Sequence, residues 1–161
     1  LCAVTGAGFI RGTFTGAYAT NMGICNSEGG ECARLRHYLG RDDLKFIYYV
    51  KPESSGDLGG RDAVESMKAT YFLDKPDALC VAGPVAGKKS DAQLMARVRE
   101  AFPDSVIFAN TGVNPNTIGE LFTYANAAFV GTYLKKDGVF ENAVDPERVK
   151  RLMDQANQLR K

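Results

Sequence analysis

Histidine occurs once in the 161 residues, at His37 between Arg36 and Tyr38, inside a segment that reads as a helix. A surface or packing role suits it, and no Ser/His/Asp or Cys/His set can be assembled around it. H-E-x-x-H is absent. Cysteine is scarce too: Cys2, Cys25, Cys32 and Cys80 include no C-x-x-C pair. Cys25 and Cys32 have six residues between them, and a zinc site would need tighter spacing and a fourth ligand. No metal and no cofactor are therefore expected, and a reducing, cytoplasmic compartment is, with an organelle as the variant. Charge of one sign is not in excess, with 20 basic against 19 acidic residues, so nothing marks a nucleic-acid partner. No apolar run approaches the roughly 18 residues of a membrane span, and no signal peptide is visible. The chain opens on Leu1 rather than methionine, and is expected to be a fragment or processed product of something longer.

What is present is a regular alternation. "LKFIYYV" (44–50) is rich in β-branched and aromatic residues and predicts a strand. Val64, Met67, Tyr71 and Phe72 predict one face of a helix over 60–75. "DALCVAG" (77–83) is a strand, and Ser90 is expected to cap a helix that buries Leu94, Val98 and Ala101. "SVIFANTG" (105–112) is a strand. Asn114 and Pro115 then read as the cap and first residue of a helix reaching residue 125. "AAFVGT" (127–132) is a strand, and Asp145 with Pro146 opens a last helix carrying Val149, Leu152, Met153 and Leu159. The same frame predicts a strand over 8–14 and a helix over 28–40 with Cys32, Leu35 and Leu39 as its stripe. Residues 1–5 become the end of an earlier helix, closed by Gly6. Five strands each precede a helix, and their continuous apolar character implies a parallel sheet covered on both faces. One α/β domain over 1–161 is expected, without a linker.

Two glycine-rich stretches mimic nucleotide loops and fail. "TGAGFIRGTFTG" (5–16) has G-x-G-x-x-x-G spacing, too little strand before it and a poor helix after it, so it is no dinucleotide cradle. "GPVAGKKS" (83–90) lacks one spacer of a P-loop and puts Lys89 where a hydroxyl belongs.

Phosphate chemistry is better placed in residues 106–138. One strand ends at Gly112 and, about twenty residues on, another ends at Gly131-Thr132. Paired βα loops with glycines let backbone N–H groups approach a phosphate, and a short helix N-terminus adds partial positive charge. Gly112, Val113, Gly131 and Thr132 are the candidate phosphate ligands; strand ends at tight turns are the structural alternative. Ligands in such folds sit at the carboxyl ends of the strands. That places Arg11 and Thr13, Lys51 and Glu53, Lys88 and Lys89, Asn110 and Thr111 near the chemistry. Arg11 stands in an apolar strand, where a charge is costly unless paired. Glu53 is the general-base candidate by position, Lys51 its partner or an anion holder, and Asn110 a polar contact. Lys135-Lys136-Asp137-Gly138 reads as a charged turn over the barrel mouth.

"PDALCVAGPVAGKKSDAQLMARVREAFPDSVIFANTGVNPNTI" and "FVGTYLKKDGVFENAVDPERVKRLM" resemble the BtpA family of (β/α)8 barrels, as does "FIRG…TGAYATNMGI". The resemblance spans nearly the whole chain, with the "KKDG…N-x-V-D-x-x-R-V" tail its most specific part. It implies a ribulose-phosphate-binding barrel with a phosphate site near Gly112 and Gly131. It also implies either an enzyme on a small phosphorylated metabolite or a non-catalytic assembly factor, since one cyanobacterial branch is linked to photosystem I biogenesis. "YYVKPESSGDLGGRD" departs from the bacterial pattern after its strand, which leaves any acid or histidine role there in doubt. The expected fold is thus α/β, the C-terminal five βα units of a (β/α)8 TIM barrel that needs roughly 250 residues. The first three units would be missing; a homo-oligomer is the other way to cover the open sheet edges. The alternative fold is an open five-stranded parallel doubly wound sheet.

Overall fold

The computed structural model describes residues 1–84 and 90–160. In chain order these form β1 (Phe9–Gly12), β2 (Ala17–Thr20), β3 (Gly23–Asn26), α1 (Gly29–Tyr38), β4 (Lys45–Lys51), β5 (Ser55–Asp57), α2 (Ala63–Asp74), β6 (Ala78–Ala82), α3 (Ala92–Ala101), β7 (Ile107–Asn110), α4 (Ile118–Leu121), β8 (Ala127–Phe129) and α5 (Pro146–Leu159). Two short 3-10 turns, Thr132–Leu134 and Lys136–Gly138, lie between β8 and α5. The chain divides into two compact units, Leu1–Cys80 and Val81–Lys161.

The strands of the βα repeat follow one another in the sheet in chain order, β1-β4-β6-β7-β8. A doubly wound sheet reverses its strand order at a switch point; sequential order belongs to barrels. The fold is α/β, built from the parallel βα units of a (β/α)8 barrel, and the open doubly wound alternative does not hold.

In the first unit β1 pairs in parallel with β4, with Arg11 opposite Ile47 and Gly12 opposite Tyr48. Five of the seven β4 residues are apolar or aromatic, and Phe46, Ile47, Tyr48 and Val50 are all buried. Phe14 stacks on Phe46 and Tyr48 with ring centroids 4.8 and 4.6 Å away. Asp62 caps α2, its carboxylate accepting from the N–H groups of Val64 and Glu65, and Val64 and Met67 are the buried face. Phe72, expected on that face, is 81% exposed. The stripe predicted for α1 does not form: the helix buries no residue, and Cys32, Leu35 and Leu39 are all exposed. Ala33 and Arg36 point inward instead, and the Arg36 guanidinium lies 4.4 Å over the Phe46 ring. Residues 1–7 make one helical turn. The Ala7 N–H donates to Cys2 O across Gly6, whose φ is +76°, so Gly6 closes a hydrogen-bonded turn where the end of a helix was expected.

A second sheet was absent from the expectation. β2 pairs antiparallel with both β3 and β5. Its hairpin turn is tied by the Thr20 hydroxyl, which donates to Gly23 O (2.8 Å) and accepts from the Met22 N–H (3.1 Å). The excursion closes where it began, since Gly29 N–H donates to Phe14 O (3.0 Å). A side chain on Gly29 would run into that same carbonyl oxygen.

In the second unit β7 pairs in parallel with β8, Asn110 opposite Phe129, with Phe108 and Phe129 stacked 4.8 Å apart. Met95 and Val98 of α3 pack inward, Met95 taking the place expected for Leu94. The α3 cap is Asp91, not Ser90: the Asp91 carboxylate accepts from the Leu94 N–H (2.9 Å), while Ser90 is buried and bonded elsewhere. Asp145 caps α5 with Pro146 in the first turn, as expected, and Leu152 is its buried residue. Met153, expected beside it, is 39% exposed. No helix among the described residues is long and apolar enough to cross a membrane.

Candidate functional site

Two sets of polar residues stand at the carboxyl ends of strands, one in each unit. In the first unit Arg11 leaves β1 exposed, so it is not the buried charge its apolar neighbours suggested. A four-residue strand at this position alternates exposed and half-buried side chains, and the guanidinium stays in reach of solvent. It lies 5.4 Å over the Tyr49 ring. Because Arg11 pairs with Ile47, the alternation of β4 puts Tyr49 two residues on along the same face. Lys51 ends β4 exposed, and Glu53 follows half-buried in the turn to β5. Cys80 on β6 is fully buried, and burial pushes its thiol up to about 12. Arg11 and Glu53 both act on that thiol electrostatically, the arginine lowering and the glutamate raising its pKa. Arg11, Tyr49, Glu53 and Cys80 therefore form one neighbourhood, of which Tyr49 and Cys80 were not foreseen as members. Cys80 packs as a small core residue of β6. Thr13 is half-buried beyond β1.

In the second unit the last rung of β7 and β8 joins Asn110 to Phe129. Gly112 and Gly131 each lie two residues past that rung, so the two glycine loops leave neighbouring strands at one level. Thr111 and Gly112 are consecutively left-handed, with φ of +67° and +60°. That conformation is an outlier for a β-branched residue, and it is held by side-chain bonds. The Thr111 hydroxyl accepts from the Gly83 N–H (2.8 Å) and bonds Asn110 O (2.5 Å). Ser90 Oγ donates toward Asn110 O and Thr111 O, at 2.5 and 3.0 Å. The Thr117 hydroxyl and the Asn114 side-chain amide both donate to Gly112 O, each at 3.1 Å. Among the described residues no backbone carbonyl takes the Gly112 or Val113 N–H.

Asn110 is 5% exposed and Val113 2%, so Val113 has only its backbone to offer a ligand. Gly131 is exposed, with open space where a Cβ would stand. Thr132 is half-buried at the start of a 3-10 turn. The helix expected from Asn114 begins only at Ile118 and has four residues, with Thr117 at its N-cap position. The Asn114 carboxamide oxygen accepts from the Asn116 N–H instead (2.9 Å), closing a local turn. So short a helix adds little dipole, and the N–H groups at this end of β7 belong to the loop. Lys135 to Gly138 is a charged turn as expected, with Asp137 at φ +58°. It is braced by the Lys135–Val144 bridge and by Asn142, whose side-chain amide donates to Lys136 O (3.0 Å). Lys88 and Lys89 lie outside the described residues. His37 is a surface histidine, 3.0 Å from the Asp42 carboxylate. Among the described residues no three His, Cys, Asp or Glu side chains gather where they could hold a metal ion.

Comparison with known proteins adds fold and family. The chain superimposes on the solved "Native KDPGal structure" with a TM-score of 0.60 at 14% identity, covering 98% of this chain and 62% of that one. It is 42% identical to the "Putative sgc region protein SgcQ" of Escherichia coli, over all of this chain and 60% of that protein. An uncharacterised protein of Thermococcus kodakarensis is 32% identical, with 96% of this chain and 58% of that one aligned. The "Photosystem I biogenesis protein BtpA" of Synechocystis sp. is 26% identical over 92% of this chain and 52% of that protein. The chain thus spans between half and two thirds of the length of these relatives. The model of the BtpA family matches residues 1–158, and the chain belongs to the BtpA family.

Proposed function

We propose that this chain holds the phosphate of a small phosphorylated metabolite at Gly112, Val113, Gly131 and Thr132, as part of a (β/α)8-barrel protein. The observation that carries the reading is the pair of glycines two residues beyond one rung of β7 and β8. Gly112 is left-handed, a backbone state that favours glycine, and Gly131 has open space where a Cβ would stand, which lets its backbone approach an anion closely. Asn110 stands at the end of the same strand as Gly112. Arg11, Lys51 and Glu53 are proposed as the charged groups for the reacting end, with Glu53 the base. An assembly role is the second reading, supported by the name of the Synechocystis relative. The reducing, cytoplasm-like setting suggested by unpaired cysteines suits either.

The test is thermal unfolding of the chain with ribose- or ribulose-type phosphates, and with inorganic phosphate. A ligand at about 100 times its dissociation constant stabilises by about 2.7 kcal/mol. Gly131→Asp is sterically free and puts a negative charge against the anion, so it abolishes the shift. Absence of a shift with every phosphorylated compound refutes the phosphate site. A shift that survives in Gly131→Asp moves the site elsewhere. Glu53→Gln keeps the shift if Glu53 serves chemistry rather than binding.

A further inference from the structure

We propose that Ser90 is the positioning residue of the β7 loop, and that it makes this loop a donor-rich surface selective for oxyanions. The inference rests on the phosphate reading above. Three consecutive carbonyl groups leave the end of β7, those of Asn110, Thr111 and Gly112. Each is engaged by a side chain of the same unit. Asn110 O is met by Ser90 Oγ and by Thr111 Oγ1, both at 2.5 Å. Thr111 O is met by Ser90 Oγ at 3.0 Å. Gly112 O takes the Thr117 hydroxyl and the Asn114 amide, both at 3.1 Å. A carbonyl oxygen has two lone pairs, so two of the three are saturated from within the protein.

A trans peptide points its N–H away from its C=O. Fixing the Thr111 and Gly112 carbonyls toward Ser90, Thr117 and Asn114 therefore turns the Gly112 and Val113 N–H groups to the other side. The loop is left with two N–H donors to offer and with two of its three carbonyls saturated, Thr111 O sharing the one Ser90 hydroxyl proton with Asn110 O. A tetrahedral oxyanion satisfies such a surface; an uncharged sugar hydroxyl, which also needs acceptors, satisfies it poorly. Ser90 is central because, among the described residues, its side chain is the one that reaches two of these carbonyls from outside the loop. It is only 2% exposed, so its hydroxyl acts away from bulk solvent. The left-handed φ of Thr111 is the backbone state those bonds hold in place.

The experiment uses the full 161-residue chain, labelled with nitrogen-15 and titrated with inorganic phosphate and, separately, with ribose. In the wild type, phosphate moves the Gly112 and Val113 amide resonances and ribose does not. Ser90→Ala weakens phosphate binding about tenfold, the effect of losing one well-made buried hydrogen bond. It also displaces the Gly112 and Val113 amides before any ligand is added, which a residue serving only the fold at a distance would not do. Thr117→Val keeps the side-chain shape, removes the hydroxyl from Gly112 O and shows the same pattern; it stands in if Ser90→Ala does not fold. Phosphate affinity equal to wild type in the folded variants overturns the positioning role. Ribose binding as tight as phosphate overturns the oxyanion preference. A wild-type chain that takes up no phosphate overturns the proposed function instead. The ligand-free amides then decide the Ser90 role by themselves, and unchanged resonances refute it.

Discussion

Arg99 offers a perturbation whose size can be worked from the bonds it makes. Its guanidinium donates to Tyr124 O (2.9 Å), Pro103 O (2.8 Å), Ser105 O (3.0 Å) and the Asn126 side-chain oxygen (2.6 Å). A further contact to Phe102 O is longer, 3.4 Å. The Asn126 oxygen also accepts from the Ile107 N–H (2.9 Å), so one arginine joins the end of α3 to the starts of β7 and β8. Arg99→Met keeps the side-chain stem and removes every donor. The Tyr124 and Ser105 bonds are part-buried, and a hydrogen bond to a charged group contributes about 1.5–3 kcal/mol net. Counting only these two at the lower figure gives about 3 kcal/mol. For a chain of this length each kcal/mol moves Tm by about 2–4 °C, so the melting point falls by roughly 6–12 °C. Differential scanning calorimetry measures it directly. Arg99→Lys recovers less than half, because a point ammonium cannot span four acceptors as a planar fork does. The response to phosphate stays as in the wild type, since the arginine ties strand starts and the glycine loops follow strand ends. A fall below about 2 °C would show that the fork contributes little, against the range from which the figure is built.

Two further outcomes follow from the electrostatics. Asp57 is held below its ordinary 3.8 first by the Arg61 N–H and then by the Gly59 N–H, and Asp43 first by its bond to Arg41. Depressed folded pKa values give stability that is fully present above the unfolded value and is lost as pH falls through the folded one. Urea midpoints measured downward from pH 5 should therefore drop below pH 3.8, and less steeply in Asp57→Asn; identical slopes in the two chains would exclude this contribution. Cys80, buried and with its thiol at about 12, stays unmodified by a thiol reagent at neutral pH until denaturant is added, whereas exposed Cys32 reacts at once. Native-state labelling of Cys80 at the rate of Cys32, read by peptide mass, would contradict its burial.

The sequence revealed those parts of the fold where one physical demand dominates. β4 and β6 are continuous apolar runs because both faces are covered, and Asp145-Pro146 can do little other than begin a helix. α1 misled because Leu35 and Leu39 keep a helical spacing while the inward positions hold Ala33 and an arginine that packs on Phe46 through its guanidinium. The β2–β3 hairpin was hidden by its exposure: Met22 and Ile24, 98% and 76% exposed, are apolar residues with no inward alternation to announce them. At the proposed site, the placement of Gly112 and Gly131 just past two neighbouring strand ends was readable from spacing alone. Ser90 was not, since a serine just before an aspartate at a helix start reads as a cap, and only the fold shows which of the two side chains turns away. The left-handed state of Thr111 has no signature in composition, because its cause is a set of hydroxyls distributed over nearly thirty positions.

The excursion that leaves the end of β1 at Phe14 and returns at Gly29 is closed at its base by the Gly29 N–H to Phe14 O bond, with Ser27 N–H to Gly16 O just inside it. Within it β2 is held by its pairing with β5, so the part free to change in length is the β2–β3 turn beyond it. Such a gate lets the decoration above a strand be lengthened, shortened or exchanged while the pitch of the underlying scaffold stays constant. Gly29 is the hinge pin of that arrangement, the position where any side chain would jam it. Within this fold, then, novelty is admitted through the loop between a strand and its helix, and the admission point is one glycine wide.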